Sequence, residues 1–193
     1  MLDIETLSTR PEGVILILGA IKFNPFKMDE FGEPLYIRID VDEQIAIGRH
    51  VDDDTVAWWL RQPEDVREEA LSMDDRVSIE ETLRRLNKFL VNVDSIWAQG
   101  PIFDIGMLEN MYRQHNAPPP WKHWQIRDSR TLFGVHGDPR EKNKEGLHNA
   151  LEDCVSQAQG VQHVFDKLNL KSYAWKNGFA ANTKTGGTVI SST

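Results

Sequence analysis

A chain of 193 residues, 40% apolar and 27% charged, has the makeup of one globular domain able to bury a sizeable core, which excludes fibrous, collagen-like and disordered classes. No apolar run is long enough for a membrane-spanning helix, the first residues show no basic-then-apolar leader, and the single cysteine, Cys154, cannot close an internal disulfide, so a cytoplasmic protein is expected. The net charge of −8, from 22 basic and 30 acidic residues, argues against tight binding of nucleic acid through a basic surface, unless carboxylate-bound divalent cations put positive charge where it is needed.

In chain order, Leu2-Asp3-Ile4-Glu5 alternates apolar and acidic residues, which predicts a short strand with both carboxylates on one face. Val14 to Phe23 is apolar and rich in β-branched residues, as in a buried central strand, and Leu35 to Ile39 continues the pattern after a turn-rich stretch. Asp53 or Asp54 can cap a helix through Trp58 and Trp59. Ser78-Ile79-Glu80-Glu81 has the form of a capping box, followed by Ile79, Leu83, Leu86 and Leu90 at helical spacing. Ser95 to Ala98 reads as a short strand closed by Gly100-Pro101, Phe103 to His115 as a helix stopped by three prolines, and Trp124 to Asp128 as a further strand. Gly134 to Gly146 looks like a polar loop, and the last helix carries Leu151, Cys154, Ala158, Val161, Phe165 and Leu168. Residues 1–170 therefore form one α/β domain, with three early antiparallel strands and later strands added through helical crossovers, and 171–193 form a tail or edge extension.

Three acidic elements carry the chemistry. Asp3-x-Glu5 can present two oxygens to a hard cation, although in a chain with 30 acidic residues such a pair alone says little. Asp104 follows a strand amid apolar neighbours, where the plain reading is a helix cap. In His148-Asn149-Ala150-Leu151-Glu152-Asp153, Asn149 can cap the last helix while Asp153 lies off its apolar stripe and faces a cleft edge. The histidines at 50, 115, 123, 136 and 163 have no metal-ligand spacing with Cys154, which disfavours zinc.

The order Asp-x-Glu, Phe-Asp, His-x₄-Asp resembles the DEDD exonuclease superfamily, over roughly residues 1–168. His148, five residues before Asp153, is similar to the histidine subtype; the tyrosine subtype would have Tyr where Asn149 stands. Thr55-Val56-Ala57-Trp58-Trp59 and Trp124 to Thr131 look closer still to a phage and bacterial family that includes a T-even phage exonuclease and a mycobacterial exoribonuclease. The resemblance implies a ribonuclease H-like fold with a mixed five-stranded sheet flanked by helices. It implies 3′–5′ exonuclease activity on the 3′ end of single-stranded DNA or RNA, releasing nucleoside 5′-monophosphates in a bacterial cell or phage-infected host. It also implies two Mg²⁺ or Mn²⁺ ions held by Asp3, Glu5, Asp104 and Asp153, with His148 as general base. Thr6 and Leu7 would contact the terminal nucleotide, and Trp58, Trp59, Arg127 and Arg130 would touch bases or phosphate, each with an ordinary structural role as its plain alternative. Some relatives dimerise, so a homodimer is admitted. The competing functions are a non-catalytic nucleic-acid or protein interaction domain on the same fold, and a phosphodiesterase of very short oligonucleotides.

Overall fold

The computed structural model describes residues 1–140 and 149–173. Strands β1 (Leu2–Thr6), β2 (Ile15–Phe23) and β3 (Phe31–Arg38) form the expected antiparallel meander with β2 in the centre. Helices α1 (Val41–Ala46), α2 (Asp53–Trp59), α3 (Glu64–Leu71) and α4 (Ile79–Phe89) follow. Strand β4 (Ile96–Ala98) then pairs in parallel with β5 (Ile126–Asp128) through a crossover over α5 (Pro101–Gln114), and α6 (Ser129–His136) and α7 (Ala150–Lys167) complete the domain.

Strand alternation sorts the core into layers. Leu2, Ile4, Leu18, Ala20 and Ile37 pack with Ile79, Leu83 and Leu86 of α4 and Ile105, Leu108 and Met111 of α5. On the opposite face Met1, Ile21 and Trp97 meet Cys154, Ala158, Val161 and Phe165 of α7, while Leu16 and Ile17 meet Trp59, Ala70 and Ala150. Burying one such Ile, Leu or Val side chain contributes about 1.5–3 kcal/mol, so both layers hold β2 firmly. The apolar run of β2 hides a bulge: the pairing passes from Glu5 opposite Ile17 to Thr6 opposite Ile15. Leu16 and Ile17 therefore share a face, and Ile15 returns to the α4–α5 layer.

The meander and the parallel pair agree with a ribonuclease H-like fold, with one correction. The strands form a three-stranded and a two-stranded sheet rather than one continuous five-stranded sheet. β4 lies beside β1, with no ladder between them among the described residues. Several ends also differ from expectation. Asp52, not Asp53 or Asp54, caps α2, accepting from the Thr55 N–H at 2.9 Å. Ser78 caps α4, but Glu81 turns to Arg84 and Arg85 instead of reaching back. α5 starts two residues earlier than read, at Pro101, because Gly100 takes a left-handed turn (φ 107°) that few other residues adopt. The expected loop from Gly134 begins later, since α6 continues to His136.

Candidate active site

β1 and α7 bring the first carboxylates together. Asp3 and Glu5 lie two residues apart on β1 and share a face. α7 approaches that face because Asn149 caps it, accepting from the N–H groups of Leu151 (3.0 Å) and Glu152 (3.2 Å), and because β2 has a glycine at the contact. A Cβ on Gly19 would stand 2.5 Å from the carbonyl of Ala150. Gly19 pairs with Asp3 across the sheet, so the same bare backbone that admits the helix sets Asp153 beside Asp3. Carboxylate oxygens of Asp3, Glu5 and Asp153 all lie within 4.8 Å of one another.

Asp104, in the first turn of α5, is not one of that group of three, but its charge acts on Asp3 and Glu5. It is 4% exposed, and its helix is capped at Gly100 rather than by its side chain. Among the described residues Arg130 of α6 supplies a counter-charge to it. Its guanidinium packs across Gly100, where a Cβ would lie 3.4 Å from Cζ, and donates to the Gln99 carbonyl at 3.0 Å.

Carboxyls withdrawn from water and set beside one another resist ionisation, and three of the four show it. Burial, then the charges of Asp3, Asp153 and Asp104, push Glu5, 8% exposed, up to about 9. Burial raises Asp104 to about 7 despite the Ile4 N–H and Arg130, which pull it down. Burial and the neighbouring Asp104 charge hold Asp3 well above the ordinary carboxylate range, against the hydrogen bond from Gln157. A divalent cation reverses this balance. The donor set is all oxygen, as Mg²⁺ or Mn²⁺ requires, and Oε1 of Gln157 is a buried acceptor with no partner beside it. The residues present fit a hard divalent ion.

The other expected positions are divided. His148 and loop residues 141–147 lie outside the described residues. Arg140 pairs with Asp138 at 2.7 Å and stands over the Phe133 ring. Thr6 is buried and donates Oγ1–H to the Ser8 carbonyl, and Leu7 is buried against Val14, Ile17 and Trp59. Trp59 is 1% exposed and donates its indole N–H to the Thr6 carbonyl at 2.8 Å, which corrects its reading as a stacking platform: no ring face is left for a base. Trp58 is half-buried and meets Trp59 edge-on at 4.9 Å. Arg127 donates to the carbonyls of Trp124 and Ile126 and lies over Tyr173, in the cluster around Trp97 rather than among the carboxylates. Arg130 is the expected basic residue that reaches the site.

Two contributors escaped sequence reasoning. Gly19 interrupts a β-branched strand, the usual mark of close backbone approach. Gln157 lies four residues after Asp153, on the same helical face, and donates Nε2–H to Asp3 Oδ1 at 3.0 Å.

This constellation sits inside one recognisable sequence family. The 3′–5′ exoribonuclease Rv2179c-like domain family matches residues 1–165. The chain belongs to that family. The match takes in all four carboxylates and makes the chain a nuclease domain, in agreement with the resemblance read from Asp3, Glu5, Asp104 and Asp153. A search of curated proteins finds no match. Within the Rv2179c-like frame, α7 and β1 are the elements that carry the acidic cluster, and the family match ends within α7.

Proposed function

We propose that the chain is a divalent-metal-dependent 3′–5′ exonuclease that hydrolyses single-stranded RNA or DNA one nucleotide at a time, releasing nucleoside 5′-monophosphates. The observation that carries this reading is the convergence of Asp3, Glu5 and Asp153, whose carboxylate oxygens lie within 4.8 Å of one another on one face of the sheet.

Two divalent ions would supply Lewis-acid polarisation of the scissile phosphate, activation of water, and stabilisation of the leaving oxygen. Asp3, Glu5 and Asp153 would hold one site, and Asp3 with Asp104 the other. Asp104 is buried in the first turn of α5, close enough for its charge to act on Asp3. Arg130 stands where it can offset charge on a phosphate arriving over the start of α5. His148 directly precedes Asn149 in the sequence and would take the proton from the attacking water, a role for which imidazole is the usual side chain near neutral pH. The family's name favours RNA as the first substrate to try.

The test is digestion of matched 3′-labelled and 5′-labelled RNA and DNA strands with Mg²⁺, with Asp3→Ala as control. Stepwise loss of label from the 3′ end, abolished by the substitution and by chelation, is expected. No digestion, or equal digestion by Asp3→Ala, would overturn the reading and leave the binding-domain alternative. Cleavage confined to dinucleotides would point to the short-oligonucleotide phosphodiesterase.

A further inference from the structure

One turn beyond Asp153, α7 turns a neutral amide toward β1. Gln157 is 5% exposed, gives Nε2–H to Asp3 Oδ1 at 3.0 Å, and has an Oε1 that is buried without a partner. A buried acceptor left unmade costs about 1–3 kcal/mol. Packing alone does not call for that cost, since a methionine offers similar length and volume with no polar atom to satisfy. The Asp3 carboxyl, in turn, has oxygens of Glu5 and Asp153 within 4.8 Å and must keep one orientation if all three are to face a single cation.

We propose that Gln157 is a positioning residue that locks the plane of the Asp3 carboxylate, and so sets how tightly the acidic cluster takes a divalent cation, without contacting substrate. This rests on the metal-dependent reading above. A carboxylate already held by a neighbour surrenders less freedom when the cation arrives, which is how outer-layer hydrogen bonds raise metal affinity. The open Oε1 leaves room for an N–H or water O–H donor while Nε2 holds Asp3; a carboxylate there could accept but not donate to Asp3, and an aliphatic chain could do neither.

The experiment is Mn²⁺ binding, followed by the electron paramagnetic resonance of the free ion, for the wild-type chain, Gln157→Met and Asp153→Asn. Gln157→Met is expected to melt within a few degrees of wild type in EDTA and to bind Mn²⁺ about 10- to 100-fold more weakly. Its nuclease rate should recover at high Mn²⁺ with the substrate KM unchanged. Wild-type Mn²⁺ affinity in Gln157→Met, while Asp153→Asn is weakened, overturns the positioning role and leaves the nuclease reading intact. Failure of the wild-type chain to bind Mn²⁺ overturns both. Should Gln157→Met not fold, the wild-type side-chain amide of Gln157 is followed by nitrogen-15 NMR during Mg²⁺ titration. Movement of its NH₂ pair in step with Asp153 supports the proposal, and an unmoved pair overturns it.

Discussion

Glu5 shows how much a single residue stakes on its surroundings. In the unfolded chain Glu5 and Asp104 lose their protons near 4.5 and 3.8, whereas in the fold they hold them to about 9 and about 7. The folded state binds more protons, so stability falls as pH rises from the lower values through the higher ones. Melting temperatures in EDTA are therefore expected to decline from pH 5 to pH 9, and Mg²⁺ should restore them most at the alkaline end. A metal-free melting temperature that climbs over this interval would contradict the burial of these carboxyls. At this scale the sequence was readable where residues act alone, since Asp3, Glu5 and Asp153 meet as their spacing required. It was unreadable for Trp59 and Arg127, because an indole and a guanidinium look the same on paper whether they face solvent or bond to carbonyls.

Among elements, the contact between β2 and the start of α7 matters most. A methyl at Gly19 would collide with the main chain of Ala150, which cannot rotate aside as a side chain can. Gly19→Ala is expected to destabilise the domain by about 1–3 kcal/mol and to push Asp153 from its partners. Differential scanning calorimetry and Mn²⁺ titration would register both effects, and a variant with wild-type values in both would show that α7 docks elsewhere. The meander, α4, α5 and α7 were legible because caps and apolar spacing agreed, as at Ser78 with Ile79, Leu83 and Leu86. α1 and α3 were not. Of the residues in α3 only Ala70 is buried, so no apolar stripe announces it. The division into two sheets was equally hidden, because β4 can lie beside β1 without pairing with it, and strand spacing in the sequence does not separate the two cases.

Across the whole molecule, an acidic surface must admit an acidic polymer. With a net charge of −8, and with Arg127 and Arg140 turned to carbonyl, ring or carboxylate partners, few phosphates can be gripped beyond the site itself. The logarithm of substrate affinity is accordingly expected to fall with the logarithm of monovalent salt at a slope no steeper than about −2, the value for two to three phosphate contacts on a single strand. Steady-state KM for a labelled RNA between low and moderate salt would measure it, and a slope of about −4 or steeper would reveal a basic track beyond the site. Beside Glu5, finally, the slip against β2 divides one strand pair into two phases. On one side, odd positions of β2 look toward the acids; beyond it, even ones do. A one-residue shift of register on either side would exchange acid for aliphatic without altering composition at all. Misfolding and loss of chemistry would there be a single frame error.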